Sequence, residues 1–286
     1  MAKNARAYNN RRAKRHKKKN YNLAYLAVLA GAALLSAFIA YSSEEADALQ
    51  TPSADTACLQ EVAVPDELPE IIKEYTGFKV SFNPLHHVPN YVVWELTGDE
   101  ANGTEPRDSK FKADKDVYGC PTLDDYRNSG FDRGHMAPAG DMKWSTQAMS
   151  DSHYLTNMCP QTRQLNGGRW STLEQKCRQW AVRDSALIII TGPILSDELT
   201  RTIGPNGVSV PERFFKVIYA PFANPPRAIA FIMPNAEHID GLESLTVSVD
   251  QVEAVTGFDF FACLPDAIED TVEQQANFRD WNRRKR

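Results

Sequence analysis

Asp132, Arg133, Gly134 and His135 stand side by side, and the turn-forming Ala-Pro-Ala-Gly follows at 137–140. Charged and polar residues packed this densely are poor core material. Histidine titrates near neutral pH, so a fixed imidazole can take a proton from an attacking water. Arg133 sets a permanent charge beside it, shaped for a phosphate. Further on, "HYLTNMCPQTRQLNGGRWSTLEQKCRQWA" (153–181) brings Asn157, Asn166, Glu174 and Arg178 in order. An amide oxygen such as that of Asn166 suits a hard cation that keeps most of its waters, as Mg²⁺ does. A carboxylate such as Glu174 can then hold those waters. The set suits one-metal phosphodiester hydrolysis, with His135 as base, an Asn166-held metal as Lewis acid and the arginines as charge clamp.

Each residue also has a plainer reading. His135 could be a turn histidine bonded to Asp132, and Asn166 could be a helix cap. Glu174 and Arg178, four apart, share a helix face and can pair, worth ~0.3–0.5 kcal/mol on a surface. Arg163 and Arg169 flank Asn166 and are candidates for weak backbone contacts to nucleic acid. His153 reads as structural, and His86, His87 and His238 as loop residues.

The elements that must position these residues are legible in outline. "NYVVWELTG" (90–98), "ALIIITGPI" (186–194), "RFFKVIYA" (213–220) and "RAIAFIMP" (227–234) read as strands. In 169–184, Trp170, Leu173, Cys177 and Trp180 recur at helical spacing and define an apolar face. In 248–257, Ser248 and Gln251 form a capping box and Gly257 a stop. Strands and helices interleave without regular alternation. The expectation is an α+β fold, a mixed, largely antiparallel central sheet flanked by helices.

Composition bounds the rest. The chain has 286 residues, 42% hydrophobic, with a net charge of −5. Residues 1–43 hold nine Lys/Arg and no acid, which leaves 23 of the 32 bases against all 37 acids, a net −14. A body this acidic is no bulk polyanion binder. The divisions expected are a basic cytoplasmic tail (1–22), an apolar span (23–41), a linker (42–70) and a catalytic domain (71–286). The span is long enough to cross a bilayer, and the bases before it keep the tail inside. It reads as a signal anchor, or as a signal peptide cut after "ADA" (46–48), so that the rest is exported across the cytoplasmic membrane; a mitochondrial leader is the less favoured reading. Of Cys58, Cys120, Cys159, Cys177 and Cys263, the pair Cys159–Cys177 is the first guess for a disulfide, the alternative being two buried thiols. No Cys/His spacing fits zinc.

The collinear set "SGFDRGHMAPAGDM", "NMCPQ", "LNGGRW", "LE" and a final Arg closely resembles the DNA/RNA non-specific endonucleases of the ββα-metal superfamily, which has mitochondrial and secreted bacterial members. The likeness runs from about residue 75 to 265 and takes in "ITGPI" and "VSVPERFFKVIY". It implies a ββα-metal active-site motif and Mg²⁺, with Mn²⁺ able to substitute. It implies His135 as general base, Asn166 as direct metal ligand and Glu174 orienting metal-held water. Arg133 and Arg178 fall on the phosphate, and Asn157 supports the base or the metal waters. It also implies cleavage of DNA and RNA with little sequence preference, 5′-phosphate products, and homodimers. A further arginine before the opening motif is expected from Arg107, with Lys110 and Lys112 nearby. Two other readings stand beside it: a non-catalytic module that captures nucleic acid, against which the intact His/Asn/Glu/Arg set and the acidic body both argue, and a phosphodiesterase for another substrate.

Overall fold

The computed structural model describes residues 56–108, 110–195 and 201–283. The basic tail, the apolar span 23–41 and the start of the expected linker lie outside the described residues. Among those described, no helix is long and apolar enough to cross a membrane. The strands are β1 (Val62–Ala63), β2 (Ile71–Tyr75), β3 (Phe78–Asn83), β4 (Val88–Thr97), β5 (Asp132–His135), β6 (Met158–Gln161), β7 (Ala186–Ile194), β8 (Thr202–Ile203), β9 (Val208–Ser209), β10 (Arg213–Ala220), β11 (Arg227–Pro234), β12 (Thr246–Val247) and β13 (Asp259–Phe260). Three longer helices matter below: α1 (Ser171–Asp184), α2 (Val249–Thr256) and α3 (Asp266–Glu273).

Seven strands form one sheet, in the order β12-β11-β10-β7-β4-β3-β2, and every neighbouring pair is antiparallel. The fold is therefore mixed α+β around a large antiparallel sheet, as the sequence led us to expect. Strand β7 sits between β4 and β10 and is buried along its whole length. Its β-branched run suits a pleated strand with both faces covered. Alternation divides its side chains. Leu187 and Ile189 join Trp94, Phe214 and Ile218 in one core; Ile188 and Ile190 join Tyr91, Phe215 and Val217 in the other. The first core also takes in Met136, Leu173, Cys177 and Trp180, so the β5–β6 pair and α1 lie on that face. The second takes Val249, Val252, Ile268 and Val272, so α2 and α3 cover the opposite face.

Helix α2 begins and ends where its caps dictate. Ser248 accepts from Gln251 N, Gln251 returns a bond to Ser248 N, and Gly257 adopts φ 70° in the left-handed region. The expected helix over 169–184 is α only from Ser171; residues Leu165–Trp170 form a wide π turn, within which Gly168 departs from helical backbone.

Cysteine pairing differs from expectation. Cys58 and Cys263 are joined, while Cys159 and Cys177 are free, buried thiols. Cys159 pairs with Gly134 in the β5–β6 ladder and Cys177 sits on the apolar face of α1, so both side chains serve as core. Cys58 falls inside the stretch expected as linker. There Cys58–Gln60 forms a 3₁₀ turn and β1 pairs with β13, so residues 58–63 are built into the fold.

Candidate active site

His135 ends β5, paired across the ladder with Met158. Its side chain is 6% exposed, and Nε2 is buried without a hydrogen-bond partner. The Asp132–His135 bond of the plainer reading is absent. Asp132 instead accepts from Asn166 Nδ2 at 3.1 Å. The imidazole packs edge-on against His153, ring centres 5.1 Å apart, and 5.5 Å from the ring of Phe111. Burial holds the His135 pKa well below the ordinary histidine value; His153, Arg107 and Arg133 depress it further. The ring is thus neutral at pH 7, the state a base needs.

The motif's glycine has a steric cause. Gly134 lies opposite Cys159, and a side chain at 134 would overlap the amide of Gln161. Beyond the strand, Asn157 clamps the Ala-Pro turn. Its Oδ1 accepts from Ala137 N at 2.9 Å, and its Nδ2 donates to Ala137 O and Ser152 O. Three of the amide's bonds thus go to backbone, and Asn157 positions the chain that follows His135. Trp170 holds the other side, donating Nε1–H to His135 O at 3.1 Å.

Asn166 lies in the wide turn before α1, not at a free helix N-terminus as expected, and its N–H is taken by Thr162 O. Since Nδ2 donates to Asp132, the amide oxygen is the end left for a ligand. Nothing lies within 4 Å of where side chains at Gly167 or Gly168 would begin, so there is room around it. The Glu174 side chain, one turn into α1, makes no hydrogen bond or ion pair among the described residues, and burial pushes its carboxyl up to about 7.

The expected Glu174–Arg178 pair is not formed. Arg178 Nη1 instead donates to Asp141 Oδ1 at 2.6 Å. Asp141 is 1% exposed and also accepts from Trp94 Nε1 at 3.3 Å. Facing these acids is Lys216 on β10, 1% exposed, its ammonium 4.4 Å from the ring of Trp170 and 5.0 Å from that of Trp94. Its charge acts on Glu174 and Asp141, which in turn oppose the fall that burial imposes on its pKa.

Outside lies a cavity of about 500 Å³ whose wall includes Arg107, Phe111, Arg127, Phe131, Arg133 and Asn166. The guanidinium of Arg133 stacks 4.3 Å above Phe111. Arg107 is the arginine brought in from before the motif. Lys112 turns away onto Tyr154 and Ser150. Arg169 is bound to the carbonyl of Asp240, and neither it nor Arg163 lines the cavity. His135, Glu174 and Arg178 are not among its lining residues; Phe111, which is, packs against both the His135 ring and the Arg133 guanidinium.

Sequence reasoning missed Asp132, Asp141, Trp170 and Lys216 as parts of this centre. Asp141 had a signal, since it closes the same "HMAPAGD" run. Lys216 had one too: it is the sole charged residue in the strand pattern "FFKVIYA", and alternation puts it on the face of Phe214 and Ile218.

The family model for DNA/RNA non-specific endonucleases matches residues 59–267. Nuclease EXOG of Danio rerio is 35% identical over 209 residues, 66% of this chain and 60% of its own length. The chain thus spans less than two thirds of that relative. Nuclease C1 of Cunninghamella echinulata is 37% identical over 206 residues, 66% of this chain and 81% of that one. A solved EndoG, in complex with EndoGI, superposes with a TM-score of 0.63 at 28% identity, covering 68% of this chain and 87% of that one. Relatives from zebrafish, mouse and human to two yeasts are named as mitochondrial. They overturn the expectation of export across a cytoplasmic membrane and point to mitochondria; they lend no support to a secreted or membrane-anchored form. The match spans residues 59–267, within which His135, Asn166 and Glu174 fall, and places the chain in one family: it belongs to the DNA/RNA non-specific endonucleases.

Proposed function

We propose that this chain is a metal-dependent endonuclease that hydrolyses phosphodiester bonds of DNA and RNA with little sequence preference and leaves 5′-phosphate ends. The observation that carries the reading is His135, a neutral buried imidazole with an unpartnered Nε2. Its ring packs on Phe111, which lines a cavity together with Arg107, Arg133 and Asn166. Water attacks phosphorus as its proton passes to His135, the P–O3′ bond breaks, and the departing oxygen takes a proton from solvent. Arg107 and Arg133 meet the charge of the phosphate, which grows in the transition state. Arg178, aimed by Asp141, is the inner cation of that clamp.

The donor set fits a hard divalent cation. Asn166 offers a free amide oxygen and Glu174 an unpaired carboxylate, a combination that suits an ion keeping most of its waters, Mg²⁺ with Mn²⁺ as substitute. Asn166 would hold it, and it would supply Lewis-acid stabilisation of the phosphate oxygens. Glu174 orients water at that position. Contacts aimed at phosphates carry no direct sequence information, in keeping with low specificity.

The test uses the full chain with supercoiled plasmid and, separately, RNA. Cutting of both in Mg²⁺, lost in EDTA, is expected. Intact substrates under Mg²⁺ and Mn²⁺ from folded protein would sink the reading in favour of a binding module.

A further inference from the structure

On the sheet face opposite His135, a second group of side chains has no assigned role. Asp250 and Glu253 on α2 and Glu273 at the end of α3 bring one carboxylate oxygen each to within 4.8 Å of one another. Glu273 is 7% exposed, and its Oε1 is buried with no hydrogen-bond partner. Glu253 Oε1 is fixed by Phe260 N at 2.8 Å. Asp250 is exposed, which leaves a way in from solvent. Asp259 and Glu269 add negative charge around the group. Among the described residues none of these five acids forms an ion pair.

We infer that Asp250, Glu253 and Glu273 form a divalent-cation site for an ion the size of Ca²⁺. A buried carboxylate beside like charges, with neither donor nor base to offset it, requires a proton or a cation. Burial first, and the neighbouring acids after it, raise the Glu273 carboxyl to about 8. Carboxylates arranged for a cation rather than for hydrogen bonds leave an oxygen bare, as Glu273 does. The all-carboxylate donor set favours calcium. Ca²⁺ takes about six to eight oxygens in flexible geometry, whereas Mg²⁺ keeps several of its waters and is usually held by only one or two carboxylates. The ion would join α2 to α3, a structural role apart from the chemistry at His135.

The test strips the full chain with EDTA and titrates it with CaCl₂, reading the melting temperature and calorimetric binding. An ion that binds only the folded state raises the melting temperature. Calcium is expected to raise it equally in wild type and Asn166→Ala. The rise is expected to disappear in Glu273→Gln, which is isosteric, and in Asp250→Asn, which alters an exposed residue. Both acid variants should still cut DNA in Mg²⁺. No rise in wild type overturns the site and leaves a proton-sharing carboxyl group in its place. A rise that survives both acid variants but is lost in Asn166→Ala places the ion elsewhere and overturns it equally. An equal response to MgCl₂ alone overturns the calcium assignment.

Discussion

Arg178 donates to Asp141 at 2.6 Å across 37 residues of sequence, and Gly140 is what lets it reach. A methyl group at 140 would come within 2.7 Å of Arg178 Nη1. The end of the "HMAPAGD" run is therefore the seat of the inner arginine. Asp141→Ala strands a largely buried guanidinium and is expected to cost about 3–5 kcal/mol in chemical denaturation. Gly140→Ala should keep the fold by circular dichroism yet lower kcat by displacing Arg178. Full activity in Gly140→Ala would remove Arg178 from the reaction.

His135→Ala is expected to reduce cleavage by at least ~10²-fold with the fold intact, the usual scale for losing a general base. Since the folded pKa of His135 lies below the unfolded value, the unfolded chain takes up the proton first. The stability contributed is complete above the ordinary histidine pKa and is lost as pH falls toward the folded one. The acid limb of kcat/KM should accordingly lie below pH 6.5. Glu174, raised to about 7, adds its own limb, so the measurement is made in Glu174→Gln; a limb above 6.5 that persists there would disqualify a neutral, buried His135 as the base.

Asn157 and Asn166 should separate cleanly. Asn157→Ala leaves Ala137 and Ser152 groups unpaired in the interior, each costing about 1–3 kcal/mol, so its melting temperature and activity fall together. Asn166→Ala gives up one half-buried bond to Asp132, so it should melt near wild type while requiring far more Mg²⁺. Equal melting behaviour in the two variants would contradict this division.

Lys216→Met replaces a desolvated ammonium by an apolar chain of similar length between Trp94 and Trp170. Stability should hold or rise, because buried charges are often replaced at no loss. The electrostatic balance around Glu174 and Arg178 changes, so kcat should drop at least ~tenfold while KM stays. Lys216→Arg keeps the charge and should recover part of the rate. Wild-type kcat in Lys216→Met would make Lys216 packing alone.

What was readable in the sequence was local. The run 186–194 signals a buried strand by its own residues, and Ser248, Gln251 and Gly257 mark a helix's ends. The order His135, Asn166, Glu174, Arg178 carried the centre because the chain lays it down in sequence on β5, the wide turn and α1. Partners drawn from distant segments were not readable. Helical spacing matched Arg178 with Glu174, but a buried Asp141 with fixed geometry outcompetes an i,i+4 neighbour. Spacing gave no hint that Asn157 would bind a backbone turn, nor that Cys58 would cross to Cys263, 205 residues away. The tail and span at 1–41 read as an export signal because hydropathy reports membrane affinity, not which membrane.

Arg107 and Arg133 line the cavity on the sheet face that carries β5 and β6, and the acids around Glu273 cluster on the opposite face. Local charge of opposite sign on two faces gives an approaching polyanion a preferred side, and that preference weakens as dissolved salt screens it.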